Sequence, residues 1–146
     1  MFYKNILVPY DGSDASKKSL EAASDFVARD MAQHITVIAV VDPIDGLSSA
    51  PDIGAWNTGT FSGDMIEKIL LDKKANIEEI IYEFADKVTV ILKVGSPKKE
   101  IISAIDSEDC DLVIMGSRGL GSFRGALGSV SHAVLHETQV PVFVMK

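Results

Sequence analysis

Residues 116–131 read GSRGLGSFRGALGSVS, and they stand between an apolar segment and a helical one. The apolar segment before them predicts a strand at Asp111–Met115, and the segment after them predicts a helix at His132–Glu137. Glycine lets bare backbone amides approach a ligand, and a helix start adds unpaired N–H groups and about half a positive charge. Together these groups bind phosphate through the backbone. The stretch therefore predicts a phosphate-binding connection between a strand and a helix.

Strands and helices alternate along the rest of the chain. Four more apolar segments predict strands, at Ile6–Tyr10, Ile35–Val41, Val88–Val94 and Val140–Met145. Amphipathic patterns predict helices at Ala15–Ala28, with Ser13 or Asp14 as its cap, at Asp64–Ala85, from Ser96-Pro97 onward, and after Gly128-Ser129. This alternation predicts an α/β fold in which helices cover both faces of a parallel sheet.

The apolar pattern also predicts the order of the strands. Ile6–Val8 and Leu112–Ile114 are continuously apolar, which is typical of central strands. The third strand alternates largely between apolar and polar residues, and Pro141 stands where an edge strand tolerates proline. These features favour an open five-stranded parallel sheet of order 3-2-1-4-5. The competing order 2-1-3-4-5 would bury the third strand.

In the order 3-2-1-4-5 the first and fourth strands are neighbours, and their helices lie on opposite faces. Ligands bind at the carboxyl ends of strands at such a switch point. Asp11 follows the first strand and Gly116 follows the fourth. We therefore expect the acid and the glycine-rich stretch to meet at one site.

Composition limits the function further. The chain has 146 residues, which fits one domain at 1–146, and its net charge of -7 argues against nucleic-acid binding and against an anionic membrane surface. Cys110 is the only cysteine, which suits a reducing compartment. The amino-terminal residues lack a signal-peptide pattern, and no apolar run approaches the ~18 residues of a membrane span. We expect a soluble, cytoplasmic protein.

The chain resembles the universal stress protein family over its whole length. Four segments carry the resemblance: Asn5–Ser13, Val94–Pro97, the glycine-rich stretch and Val140–Lys146. The ATP-binding members of that family carry Gly, two residues, Gly, nine residues, Gly, and then Ser or Thr. Gly116 and Gly119 match the first pair here, and Gly128-Ser129 match the last. Only eight residues, 120–127, separate Gly119 from Gly128, so this connection is one residue short of the pattern.

The resemblance implies a Rossmann-like fold of the adenine nucleotide alpha hydrolase type, and a site for ATP with or without Mg²⁺. Asp11 would hydrogen-bond the ribose, and Val40 would meet the adenine through its backbone. Three residues would line the ribose and the first phosphates: Gly116, Arg118 and Gly119. Four would hold the terminal phosphates through amides and hydroxyls: Gly128, Ser129, Val130 and Ser131.

The family also dimerises through its last strand, which implies a homodimer through Val140–Met145. An apolar strand at a sheet edge needs such a cover, because it otherwise recruits other chains. The sequence names no other protein partner. The irregular stretch Ser48–Gly63 has two readings, a lid over the ligand or a plain insertion.

Efficient catalysis is not expected. Hydrolysis of ATP needs a base and a charge clamp, and only Asp11 and His132 qualify as bases, with no lysine expected near them. His132 and His136 have a zinc-binding spacing but no third ligand, so no metal site is expected. Two functions are favoured: an ATP-binding regulator in the stress response with at most slow hydrolysis, and a nucleotide-free homodimeric adaptor, which the short connection favours. A small-molecule hydrolase or transferase on the same fold ranks below both, because a fold alone does not establish chemistry.

Overall fold

The computed structural model describes residues 2–43, 63–117 and 128–146. Most of the irregular stretch at 48–63 lies outside these residues, as do Arg118 and Gly119. The elements in chain order are β1 (Tyr3–Pro9), α1 (Asp14–Ala28), β2 (Ala32–Val41), α2 (Gly63–Ile80), a 3-10 helix (Tyr82–Lys87), β3 (Val88–Val94), α3 (Pro97–Ser107), β4 (Leu112–Gly116), α4 (Ser129–Glu137) and β5 (Val142–Met145).

The five strands form one parallel sheet in the order β3-β2-β1-β4-β5, which confirms the predicted order. Helices α1 and α2 pack on one face through Leu20 and Ile77, and α3 and α4 pack on the other through Ile101 and Val134. Successive residues of β1 pack alternately against the helices on the two faces of the sheet, and Leu7 is fully buried. Continuous apolar sequence in β1 thus reflects burial on both sides.

The prediction of one long helix at Asp64–Ala85 is wrong at its carboxyl end. α2 stops at Ile80, and the chain continues as the 3-10 helix, with a non-helical Phe84 (φ -122, ψ 21). Ile81 and Phe84 nevertheless pack on the same core as α2. The apolar spacing therefore persists across the break, which is why periodicity alone does not reveal where the α-helix ends.

The other boundaries differ by a few residues. Ser13 caps α1, because its hydroxyl accepts the Ser16 amide at 3.2 Å. Ser96 occupies the cap position of α3 without a side-chain cap hydrogen bond, and Pro97 begins the helix. β1 ends at Pro9 rather than Tyr10, but the Tyr10 amide still donates to the Ile38 carbonyl at 2.8 Å.

A carboxylate ties the amino ends of β1 and β4 together. The Asp111 carboxylate accepts the Lys4 amide at 2.9 Å and the Asn5 amide at 3.0 Å. The Asn5 side chain in turn donates to the Thr36 hydroxyl and to the Glu108 carbonyl, both at 2.9 Å. Charge-assisted bonds to backbone amides are among the stronger hydrogen bonds, so this network fixes the register at that end.

At the other end β1 and β4 part. Only two residue pairs join them in the described structure, Ile6 with Leu112 and Leu7 with Val113, whereas six join β1 to β2. Both strands continue beyond these pairs, to Pro9 and to Gly116. The carboxyl ends of β1 and β4 form the switch point of the sheet, where folds of this topology place a ligand crevice. No helix of the described ranges is long and apolar enough to cross a membrane.

Replacing Asp111 with alanine should lower the free energy of unfolding by about 2 kcal/mol, because three charge-assisted contacts to the β1 amides are lost. Urea unfolding measures this loss. Asp106→Ala, which removes the same charge from an exposed position on α3, should stay within ~0.5 kcal/mol of wild type. Equal effects of the two substitutions would contradict a structural role for the Asp111 carboxylate.

Candidate functional site

The turn between β1 and α1 holds Asp11 at the carboxyl end of β1. The Asp11 carboxylate accepts the Ser13 amide at 2.9 Å, and the Ser16 hydroxyl donates to the Ser13 carbonyl at 2.9 Å. Gly12 between them has φ +87, a left-handed conformation that side chains rarely adopt. The turn thus depends on glycine, and it places the carboxylate directly before the capped start of α1.

Val40 lies near the end of β2 with its backbone directed toward β1. The Ile38 carbonyl accepts the Tyr10 amide on the β1 side, and the Val41 carbonyl accepts the Gly95 amide on the β3 side. Peptide groups point to alternate sides along a strand, so those of Val40 point to the β1 side. They do so beyond Pro9, where β1 has ended.

The β4 side of the crevice is built from backbone groups. The Gly128 amide donates to the Ser117 carbonyl at 2.6 Å, so the two ends of the connection between β4 and α4 meet. The Ser117 amide donates to the Met145 carbonyl of β5 at 2.7 Å. The first helical bond of α4 runs from the His132 amide to the Gly128 carbonyl at 3.0 Å. The three amides before it belong to the helix start, where no intrahelical partner is available.

The structure therefore brings five of the proposed phosphate-site residues together at the end of β4: Gly116, Gly128, Ser129, Val130 and Ser131. Asp11 and Val40 lie at the ends of neighbouring strands. Ser131 is 4% exposed, and its hydroxyl donates to the Gly116 carbonyl at 2.6 Å. This bond uses the hydroxyl proton, so Ser131 offers a ligand its amide rather than its side-chain donor.

Lys73 of α2 contacts Asp11, although the sequence analysis did not place this lysine in the site. The Lys73 ammonium donates to the Asp11 carbonyl at 2.9 Å. The expectation that no lysine lies near Asp11 is therefore wrong. Burial lowers the pKa of Lys73, and the Asp11 charge opposes this shift. The signal in the sequence is a lysine inside the apolar stripe of α2, at the position between Leu70 and Ile77.

Tyr10 lies beside this cluster in the core of the α1 and α2 face. Its side chain is 2% exposed, and its hydroxyl has no hydrogen-bond partner among the described residues. Burial, with a smaller contribution from the Asp11 charge, raises the pKa of the Tyr10 phenol. A buried hydroxyl without a partner lowers stability.

The described residues supply binding groups at this site: backbone amides, a carboxylate and an ammonium. Within the described ranges no group of three or more His, Cys, Asp or Glu residues is placed to hold a metal ion. The rings of His132 and His136 pack edge to face with centroids 4.7 Å apart. Burial raises the pKa of the Cys110 thiol to about 12, so this thiol stays protonated at neutral pH.

Replacing Tyr10 with phenylalanine should raise the free energy of unfolding by about 1 kcal/mol, because the substitution removes a buried hydroxyl and keeps the ring. Tyr82→Phe is the matched control, since Tyr82 is 76% exposed and its hydroxyl faces water. Urea unfolding of both variants gives the comparison. A loss of stability in Tyr10→Phe would show that the hydroxyl has a partner outside the described residues.

Known proteins resemble this chain over nearly its whole length. A model of the universal stress protein family matches residues 2–146. Universal stress protein MJ0531 of Methanocaldococcus jannaschii is 29% identical over 147 residues, covering 99% of this chain and 82% of its own length. Universal stress protein MJ0577 of the same organism is also 29% identical, covering 100% of this chain and 96% of its own.

Solved structures agree with the fold. The structure of MJ0577 superposes with a TM-score of 0.79 over 100% of this chain and 97% of its own. Two more distant structures share the fold and are described as complexes. One is a universal stress protein in complex with cAMP (23% identity, TM-score 0.64), covering 99% of this chain and 98% of its own. The other is the Archaeoglobus fulgidus universal stress protein in complex with dAMP (22% identity, TM-score 0.68), and it covers both chains fully. With the family model matching all but the first residue, the chain belongs to the universal stress protein family.

Proposed function

We propose that this protein binds an adenine nucleotide, ATP foremost, in the crevice between the carboxyl ends of β1 and β4, and that it regulates a stress response through the bound nucleotide. One observation carries this proposal: the amide-rich start of α4 adjoins Gly116 and Ser117 at the end of the strand that parts from β1. Amides at a helix start bind phosphate without a charged side chain. This matters in a chain with a net charge of -7.

The nucleotide would span the crevice. Its terminal phosphates meet the amides of residues 128–131, and Gly116, Arg118 and Gly119 line the ribose and the first phosphates. Asp11 accepts the ribose hydroxyls, and the Val40 backbone meets the adenine. The two relatives in complex with cAMP and dAMP support an adenine nucleotide as the ligand, because both of those ligands contain adenine, a sugar and a phosphate. Mg²⁺, when present, enters bound to the phosphates, and we assign it no protein ligand.

Regulation fits the site better than fast chemistry. Efficient phosphoryl transfer needs a base that positions the nucleophile and cations that neutralise the leaving group. The Lys73 ammonium is bonded to the Asp11 carbonyl, at the end of the crevice assigned to the ribose. Since this cation is engaged away from the terminal phosphates, we propose at most slow hydrolysis.

We propose the cytoplasm as the location, because a single buried thiol suits a reducing compartment.

The proposed regulator is a homodimer that pairs through β5. This strand is the outer neighbour of β4, and Phe143 on it is 44% exposed. Phe26 packs edge to face against Phe143, with ring centroids 5.7 Å apart. Two-fold pairing of β5 with its copy would cover the edge and the exposed ring.

A nucleotide-free adaptor is the second candidate, and specific contacts favour it. The Gly128 amide and the Ser131 hydroxyl, both assigned to phosphate, bond instead to Ser117 and Gly116 within the protein. The connection is also one residue shorter than the family's ATP-binding pattern. An adaptor would keep the fold and the dimer, and it would bind no nucleotide.

Isothermal titration with Mg-ATP separates the two candidates. The wild type should bind, and Gly119→Val should reduce the affinity at least about a hundredfold, because its side chain keeps the amides from approaching the phosphates. Gly63→Val is the control, since a Cβ added at Gly63 meets nothing within 4 Å. No heat of binding in the wild type would favour the adaptor. A folded Gly119→Val protein that binds normally would show that the phosphate site lies elsewhere.

Val144→Pro tests the dimer. The Pro141 carbonyl accepts the Val113 amide of β4, and the Met145 carbonyl accepts the Ser117 amide just after β4. Alternation therefore directs the Val144 amide toward the outer edge. Proline there removes an edge donor and leaves the bonds to β4 in place, so the variant should be monomeric by light scattering. Val144→Thr, which keeps the amide, should remain a dimer. A dimeric Val144→Pro protein would rule out edge pairing through β5.

A further inference from the structure

Lys73 interrupts an apolar surface of α2. One turn further along this surface Ile77 is fully buried, and one turn before it Leu70 is partly buried. Lys73 itself is partly buried, and burial lowers its pKa. Withdrawing an ammonium from water costs free energy unless the charge is paired and hydrogen-bonded. Methionine or leucine would complete the stripe without this cost, so packing alone does not explain the lysine.

The Lys73 ammonium bonds to the peptide group between Asp11 and Gly12, which can rotate easily because Gly12 has no side chain. Its acceptor is the Asp11 carbonyl, 2.9 Å away, in the peptide bond that joins Asp11 to Gly12. Gly12 has φ +87, and glycine tolerates either sign of φ, so nothing in its side chain opposes rotation of this peptide plane. The hydrogen bond from Lys73 opposes that rotation from the α2 side.

The same turn is held from the α1 side by the Asp11 carboxylate. One carboxylate oxygen accepts the Ser13 amide at 2.9 Å, and Ser13 caps α1. Rotation of the peptide between Asp11 and Gly12 would move this carboxylate relative to the helix.

We infer that Lys73 is a positioning residue of the proposed nucleotide site: by fixing the Asp11–Gly12 peptide it orients the Asp11 carboxylate toward the ribose hydroxyls and sets the preference for ribonucleotides over deoxyribonucleotides. The inference rests on the proposed function, and it assigns Lys73 no contact with the phosphates.

The test compares ATP, 2′-deoxy-ATP and 3′-deoxy-ATP on wild type and on Lys73→Met by isothermal titration. In the wild type, loss of a hydroxyl that Asp11 accepts should weaken binding at least about tenfold, as expected for a hydrogen bond to a charged group. In Lys73→Met the affinity for ATP should fall about tenfold while the affinity for that deoxynucleotide changes by less than about threefold. A general structural defect would instead weaken all three ligands together.

Lys74→Met is the matched control. Lys74 follows Lys73 on α2, but its side chain is 46% exposed and its ammonium lies 3.8 Å from Glu78. This variant loses the same charge and should bind all three nucleotides as wild type does. Lys73→Leu, which also lacks a donor, is titrated in parallel, so that the test does not depend on one variant's folding, which circular dichroism and thermal melting verify. It should show the same loss of discrimination as Lys73→Met.

Distinct results overturn the two proposals. A wild type that binds no adenine nucleotide overturns the proposed function and this inference with it. A wild type that binds ATP and both deoxynucleotides equally overturns the inference alone. The inference also fails if the Lys73 variants keep wild-type discrimination, or if they lose the same factor for all three ligands, which would indicate a direct role at the phosphates.

Discussion

The site depends on how β1 and β4 are joined. These two central strands are neighbours, yet among the described residues they pair at two positions only, which join the middle of β1 to the amino end of β4. The Asp111 carboxylate, just before β4, also holds two β1 amides. Their apolar residues, buried on both faces, keep the strands in the middle of the sheet. The chain leaves β1 for α1 on one face and β4 for α4 on the other, which makes the carboxyl ends of these two strands the switch point of the sheet. The crevice follows from topology and pairing before any polar residue is considered.

The two walls of this crevice differ in physical character. The β4 wall offers peptide amides at the start of α4, whose dipoles are fixed by the helix and carry no net charge. The β1 wall carries full charges of opposite sign, the Asp11 carboxylate and the Lys73 ammonium, and the ammonium donates to the Asp11 carbonyl. A ligand with an anionic end and a neutral, hydroxyl-bearing part matches this division. In a chain of net charge -7, attraction for the anionic end must come from local groups such as the amides of the β4 wall.

The sequence was sufficient wherever local chemistry determines structure. Continuous apolar residues in β1 and β4 marked the centre of the sheet, and Gly116 marked the end of β4. It was insufficient where a contact joins residues far apart in sequence. It was also insufficient where the apolar spacing continues although the α-helix has ended. Lys73 meets Asp11 across 62 positions, and only its place in an apolar stripe marked it. The end of α2 at Ile80 was hidden because residues of the 3-10 helix continue to pack on the same core.

The short connection bears less on phosphate binding than its length implies. Its two ends are fixed independently of the residues between them: Ser117 is bonded to β5, and α4 is anchored by the fully buried Val134. The Gly128 amide lies 2.6 Å from the Ser117 carbonyl, so the connection leaves and returns at one place. One residue spans about 3.5 Å of extended chain, but a closed connection between fixed ends can lose a residue without moving either end. The amides of residues 129–131 are therefore placed by the packing of α4, and a nucleotide would need only to displace the bond that closes the connection.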